Sequence, residues 1–392
     1  MRILLLHSHY VHRGGEDAVF EAERDLLRAH GHEVRTHEVR NELMSGLNPL
    51  QAASRTIWSG ASYTAVRELV RAWRPDVVHA HNTFQALSPS VLSAAAREGL
   101  PVVQTLHNFR LMCPQAMLLR HEQVCEDCVG KVPWRGVVRA CYRDSHLQSA
   151  ALATMLMAHR ALGTYERHVT RFIALSEFSR RKLMEGGLDG ERISVKPNFY
   201  ETDRVPSFEA RDGGLFVGRL SREKGVEVLL RAARDHGLEG VAVIGDGPEF
   251  GEAMRLQFGT AWLGFQPLEA VLSHMARAAF LVLPSICYEN FPRTIVEAYA
   301  SGTPVIASAM GAMAELVEDG VTGLLFTPGD AAALARKVAW AQAHPDAMRR
   351  MGEAAFARYQ ARYRAEVNHG QLMAIYQQAI EARRAQTGGS HG

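Results

Sequence analysis

Residues 280–308 read FLVLPSICYENFPRTIVEAYASGTPVIAS. FLVLPS (280–285) has the pattern of a buried strand, ICYEN (286–290) that of a loop, and Pro292 is the predicted first helical residue, where a missing N–H costs nothing. The helix runs through Ala300 and stops at Gly302 and Pro304, and PVIAS (304–308) returns as a second strand. Strand, helix and strand in so short a span predict a crossover unit of a parallel sheet. Two glutamates flank the proline, Glu289 in the loop and Glu297 inside the helix. The amino end of such a helix offers N–H groups and partial positive charge to a phosphate. Glu289 is placed to accept hydrogen bonds from hydroxyls. Glu297 lies roughly 8 Å further along the helix at about 1.5 Å per residue, which suits a ribose separated from a sugar by a diphosphate. Two surface carboxylates near a helix start would give the same spacing.

The alternation extends in both directions. Upstream, ILLL (3–6), HEVRTHEV (32–39), DVVHAH (76–81), PVVQTLH (101–107), FIALS (172–176) and ISVKPN (193–198) are strand runs. Between the first two, EDAVFEAERDLLRAHGH repeats Val19, Ala22, Leu26 and Ala29 at helical spacing and stops at Gly31. After a polar, aperiodic stretch the pattern restarts with GLFVG (214–218), VAVIG (241–245), AWLGF (261–265), FLVLPS, PVIAS and GLLF (323–326), and helical sequence fills about 330–384. The expected architecture is α/β, two doubly wound Rossmann-like domains facing across a cleft. Residues 1–199 form the first, with an insertion at about 108–146, and 200–213 a linker. Residues 214–370 form the second, and 371–392 a C-terminal helix and tail packing back on the first. Ligands of open α/β sheets sit beyond the carboxyl ends of strands. That rule selects His7 to Gly15, His81, His107, Arg219 to Lys224, Gly245 to Pro248, and Glu289, Asn290, Phe291 and Pro292.

The 392 residues exceed what one hydrophobic core usually fills. A formal charge of +2 gives no bulk drive toward nucleic acid, so no nucleic-acid partner is expected. The short RILLLHS start does not read as a secretory signal. The apolar stretch LQSAALATMLMA (147–158) is shorter than the ~20 residues of a spanning helix and reads as a packed helix. The expected compartment is the cytoplasm, where five cysteines stay reduced.

In FVGRLSREKGVEVLL (216–230), Arg219 and Lys224 sit in one strand-to-helix loop, a pairing suited to bridging phosphate oxygens or, equally, a solvated pair. With VGRLSREKG, IGDGP, LGF, the opening segment, GAMAELVEDGVTGLLF and PGD in order, the second half resembles the retaining GT-B glycosyltransferases of family 4. GGEDAVFEAERDLLRAHGHEV, RPDVVHAHN, TLHN, ALSEFSRRKLMEGGL and VKPN extend that resemblance over the first half. It implies that Glu289 holds donor-sugar hydroxyls, Glu297 the ribose, and Arg219 and Lys224 the diphosphate. It further implies that His107 faces the reacting sugar and that Gly15 lies in a glycine loop beside the diphosphate. Pro292 and Arg293 stand where the family often has glycine after Phe291; Arg293 adds a contact or faces solvent. His79 and His81 share one strand face, with only His81 placed to reach a cleft, while His7, His9 and His12 are loop residues without a role.

The resemblance implies same-face transfer assisted by the departing phosphate. The sequence holds no Asp-X-Asp triplet and no evident nucleophile, in keeping with metal-independent transfer and no catalytic cofactor. The expected partners are a nucleotide-diphosphate sugar donor and a saccharide or lipid-linked saccharide acceptor in cell-surface polysaccharide or glycolipid assembly. A nucleotide-sugar 2-epimerase of the same fold, or a binding protein without turnover, are the rival readings. In the insertion, Cys113, Cys125, Cys128 and Cys141 have spacing that fits a structural zinc or four reduced, packed thiols, while Cys287 only packs. Lys131, Arg135, Arg139 and Arg143 recur every four residues beside Trp134. If helical, they form a basic stripe for an anionic membrane surface, which would make the protein peripheral on the inner membrane face; a solvated face is the alternative.

Overall fold

The computed structural model describes residues 1–247 and 249–388; Pro248, the end of the Gly245–Pro248 stretch, and the last four residues of the polar tail lie outside the described residues. The chain forms two compact units. One holds Met1–Leu118, Glu126–Pro197 and the residues from Asn368 onward, the other Leu119–Cys125 and Asn198–Val367.

In the first unit the strands are β1 (Arg2–His9), β2 (Glu33–Arg40), β3 (Val77–Ala80) and β4 (Val102–Leu106). A short antiparallel hairpin, β5 (Leu119–Arg120) and β6 (Gln123–Val124), belongs to the second unit, and β7 (Arg171–Ala174) and β8 (Ile193–Val195) complete the first. The sheet is parallel in the order β2-β1-β3-β4-β7-β8. Such strands are covered on both faces, so they read as unbroken apolar runs. Ile3, Leu4, Leu5 and Leu6 are fully buried, each stabilising by about 1.5–3 kcal/mol relative to exposure. From β1 the chain adds β2 on one side and β3 on the other. The topological switch point therefore lies at the carboxyl ends of β1 and β3, where open sheets of this kind bind ligands.

The second unit repeats the logic with β9 (Gly214–Val217), β10 (Val241–Ile244), β11 (Phe280–Leu283), β12 (Val305–Ser308) and β13 (Gly323–Phe326), parallel in the order β10-β9-β11-β12-β13. Its switch point is at the ends of β9 and β11. AWLGF, expected as a strand, contributes a single bridge between Trp262 and Val243, because the Gly259–Ala261 turn and Gly264 at φ 66° leave too short an extended run. Residues 200–213 carry no regular element, yet Arg211 is bonded to the Thr303 hydroxyl at 2.7 Å and to the Ala278 and Ser301 carbonyls. These bonds hold the stretch on the second unit, unlike a free linker.

The helix Gly15–Ala29 buries Val19, Phe20, Glu23, Leu26 and Leu27, a stripe rotated from the expected one, with Ala29 exposed. A carboxylate thus sits on its apolar face. The C-terminal helix Ala365–Gly388 sends Leu372, Ile375, Tyr376 and Ala379 into the same core as Ile3, Leu5 and Phe20. Among the described residues, no helix is long and apolar enough to cross a membrane.

Candidate functional site

The loop after β9 places the cations of the second unit. It closes with a tight turn at Arg222–Lys224 and Gly225 at φ 72°. A Cβ on Gly225 would lie 1.8 Å from the Pro284 carbonyl oxygen, so a glycine is required for this loop to touch the one after β11. Ile286 N–H donates to the Glu223 carbonyl at 3.0 Å across the same junction. Lys224 is thereby set against Glu289, with Nζ 2.6 Å from Oε1 and side chains 30% and 14% exposed. Ser285 Oγ donates to that same carboxylate oxygen at 3.0 Å. Burial alone would lower the Lys224 pKa, but adjacent Glu289 outweighs it and the net shift is upward. Arg219, 69% exposed, reaches the Glu223 carboxylate at 2.7 Å.

The helix after β11 is Arg293–Ala300, and Pro292 is its N-cap instead of its first residue. Pro292 has no side-chain oxygen with which to cap, and of the first-turn amides Ile295 N–H bonds to the Pro292 carbonyl at 3.1 Å. Glu297 is only 6% exposed, and burial pushes its carboxyl pKa up, against the pull of Arg293. Arg293 does not point away into solvent: its guanidinium lies 3.3 Å from Glu297 Oε1, one helical turn on. Asn290 and Phe291 are buried, and the Phe291 ring meets Tyr363 edge-on at 5.9 Å. Burial drives the Cys287 thiol pKa upward, consistent with a packing role.

In the first unit, His107 follows β4 and lines a cavity with Glu16, His81, Asn82, Asn108 and Arg110. His107 Nε2 is 3.1 Å from His81 Nδ1, and His81 Nε2 is 3.1 Å from Glu23 Oε1. Glu23 Oε2 accepts from Lys196 Nζ at 2.9 Å, and Lys196 also donates to Asn368 Oδ1 at 2.9 Å. Burial would raise the Glu23 carboxyl, but Lys196 and the two adjacent histidines hold it well below the usual range. Burial lowers the His81 pKa to about 4 and that of His107 well below its ordinary value, so both rings are neutral at pH 7. Gly15 opens its helix, and a Cβ there would meet nothing within 4 Å. Glu16 beside it accepts from Asn108 Nδ2 at 2.8 Å and from the Tyr10 hydroxyl at 3.0 Å.

His7 and His9 are strand residues of β1, not loop residues; His7 Nε2 lies 2.8 Å from Asp17 Oδ1, and His9 lies between Asp17 and Glu38. His12 is exposed. Glu23, Lys196 and Glu16 were not singled out from the sequence. The available signal was Glu23 on an apolar helix face and Lys196 immediately after a strand.

The insertion was expected to carry a cysteine cluster and, if helical, a basic stripe. Among the described residues, two groups have metal-ligand atoms all within 4.8 Å of one another: His7, His9 and Asp17, and Glu23, His79 and His81. Neither contains a cysteine. Cys113, Cys125, Cys128 and Cys141 are in no disulfide, and none of the four belongs to either group. The basic stripe is broken up. Its helix is confined to Trp134–Val138, and Arg139 and Arg143 follow in turns, the latter at φ 53°. Arg135 and Arg139 both pair with Asp127, which neutralises part of the stripe.

Comparison with known proteins gives a consistent picture. The profile "Glycosyltransferase Family 4" matches residues 13–204, and "Glycosyl transferases group 1" matches 205–358. The 2-deoxystreptamine N-acetyl-D-glucosaminyltransferase of Streptomyces fradiae is 30% identical over 362 residues, covering 86% of this chain and 80% of that protein. The sucrose-phosphate synthase of Thermosynechococcus elongatus superimposes with a TM-score of 0.70 at 19% identity, over 97% of this chain and 99% of the other. HepE of Anabaena, in complex with UDP, does so with a TM-score of 0.65 at 19% identity, over 95% and 99%.

Proposed function

The chain belongs to the group 1 glycosyl transferases and has the GT-B fold, and on that premise we propose that it moves a sugar from a nucleoside diphosphate donor to a saccharide or lipid-linked saccharide. The observation that carries the donor assignment is the Lys224–Glu289 pair at the second-unit switch point, beside the uncapped helix Arg293–Ala300. Lys224 has three N–H donors. One holds Glu289, and the others are available to a phosphate oxygen. Glu289 then accepts from hydroxyls of the transferring sugar, Glu297 from the ribose, and Arg219 adds a guanidinium to the diphosphate. His107 is assigned a hydroxyl of the reacting sugar, and Gly15 leaves room beside the phosphates. Asn290, Phe291 and Pro292 set the entry of the helix.

As the bond from the anomeric carbon to the phosphate breaks, negative charge grows on the leaving oxygen. Fixed cations and helix N–H groups stabilise that charge as it forms. The acceptor oxygen attacks the same face, and its proton passes to the departing phosphate, which gives retention. The UDP complex of the Anabaena neighbour supports uridine nucleotides as the first donors to test. Trp134 and Val138, 57% and 64% exposed and one turn apart, support an acceptor carried on a lipid or held at the inner membrane face.

The test is incubation with a panel of nucleotide sugars with and without candidate acceptors, scored for released nucleotide and for isomerised sugar. The expected outcome is acceptor-dependent nucleotide release that persists in EDTA. Isomerised sugar formed without an acceptor would refute the transfer reading.

A further inference from the structure

The buried histidines of the first unit form a directional chain. Lys196, 1% exposed, and Glu23, equally buried, make an ion pair at 2.9 Å in the core, and Asn368 of the C-terminal helix accepts a second Lys196 N–H. A Glu23 carboxylate is acceptor-only, so the facing His81 Nε2, at 3.1 Å, carries the hydrogen. His79 adds a second constraint. It lies 3.1 Å from the same Glu23 oxygen, with its other nitrogen 2.8 Å from the Thr105 hydroxyl. A neutral His81 then has its lone pair on Nδ1, where His107 Nε2 sits at 3.1 Å. Two lone pairs cannot share a hydrogen bond, so His107 Nε2 must be the N–H. The His107 lone pair is left on Nδ1, and His107 lines the cavity with Glu16, Asn108 and Arg110.

We infer that His81, anchored by Glu23 and Lys196, is a positioning residue that fixes His107 as its Nε2–H tautomer and presents Nδ1 as a hydrogen-bond acceptor to a hydroxyl of the bound sugar. The inference rests on the assignment of His107 to the reacting sugar. A ring fixed in this way orients a donating hydroxyl and supplies no positive charge, since burial keeps both histidines neutral at pH 7. A carboxylate sets the tautomer of a metal-bound or catalytic histidine in the same way, and here one imidazole is interposed between Glu23 and His107. The C-terminal helix belongs to the device: its Asn368 binds Lys196, and its Tyr376 hydroxyl lies 2.8 Å from His79 Nδ1.

The primary experiment uses the wild-type full-length chain. Histidine side chains labelled with 15N are read by two-bond proton–nitrogen correlation at pH 7, and His81 and His107 are assigned by their loss in single variants. The expected result is an Nε2–H tautomer for both. An Nδ1–H His107 overturns the proposal, and this readout does not depend on any variant folding well. Turnover supplies the second readout. His81→Phe, which offers His107 no acceptor, should lower kcat at least tenfold with nucleoside diphosphate affinity within about twofold of wild type. His81→Asn, whose Oδ1 can accept the same hydrogen bond, should recover most of the loss. Equal loss in folded His81→Phe and His81→Asn would overturn the positioning role. Full turnover in His107→Ala would refute the assignment of His107 to the sugar, while the tautomer measurement judges His81 separately.

Discussion

Acidification from pH 7 to pH 5 should destabilise the first domain by an amount that can be traced to His81. The ring is buried between Glu23 and His107, and its pKa is held at about 4 in the folded chain against about 6.5 when unfolded. Between those values the unfolded chain binds a proton that the native ring refuses, so stability is complete above about pH 6.5 and is lost as pH falls toward 4. One such group removes about 2 kcal/mol between pH 7 and pH 5 and about 3 kcal/mol over the full window. His107, lowered in the same direction by burial and by His81, adds to the slope. Glu23, whose pKa is depressed, does not begin to oppose folding until the pH falls through the ordinary carboxylate range of about 4.3 and below. The assay is equilibrium urea unfolding at both pH values, followed by amide protection in β3 and β4 so that the first domain is read by itself. His81→Asn keeps a hydrogen-bonding side chain without the titration, and should lose about 2 kcal/mol less than wild type over that pH step. Equal losses in the two proteins would show that His81 is not held neutral by its surroundings.

Lys224→Ala and Glu297→Ala should each weaken nucleoside diphosphate binding by about ten- to a hundredfold in calorimetry, the value of about 1.5–3 kcal/mol for a charged hydrogen bond. Glu289→Ala, by contrast, should lower kcat while nucleotide affinity is kept, because Lys224 remains to meet the phosphate; a matching loss of affinity would remove Glu289 from the sugar. Gly225→Ala forces a Cβ to within 1.8 Å of the Pro284 carbonyl, so the two loops must part. Donor affinity should fall by at least tenfold together with the melting temperature, and an unchanged affinity would show that the contact does not position Lys224. Exchanging Trp134 and Val138 for serine should reduce sedimentation with anionic liposomes, and equal binding of both proteins would point to a soluble acceptor.

The strands were legible because parallel sheets bury both faces, so runs such as ILLL and FLVL need no periodicity to be recognised. The loop residues after them were legible by position, as with Lys224 and Glu289. Three features were not. The Glu23–Lys196 pair joins residues far apart in the chain, and no local pattern encodes which buried acid meets which buried base. The insertion's stripe was readable only conditionally, because a four-residue spacing describes a face only if the segment is helical throughout, and helix here stops after Val138. Arg293 was left between solvent and ligand because its partner, Glu297, was already assigned to another role, although the two are spaced one turn apart.

Both cations named for the donor are already held by a carboxylate, Lys224 by Glu289 and Arg219 by Glu223, and Arg293, beside the helix start, is held by Glu297. Such pairs are weak sources of stability, since desolvation offsets much of their attraction. Their use is geometric. Glu289 sets the direction in which the Lys224 ammonium points, with Nζ 2.6 Å from Oε1. The same carboxylates are acceptors with lone pairs to spare, so sugar and ribose hydroxyls can bind them without displacing the cations. The first domain follows a different rule, with neutral rings locked by one buried ion pair. On the proposed assignment, charge is therefore concentrated where phosphate leaves, and hydrogen-bond direction is fixed where a hydroxyl is oriented.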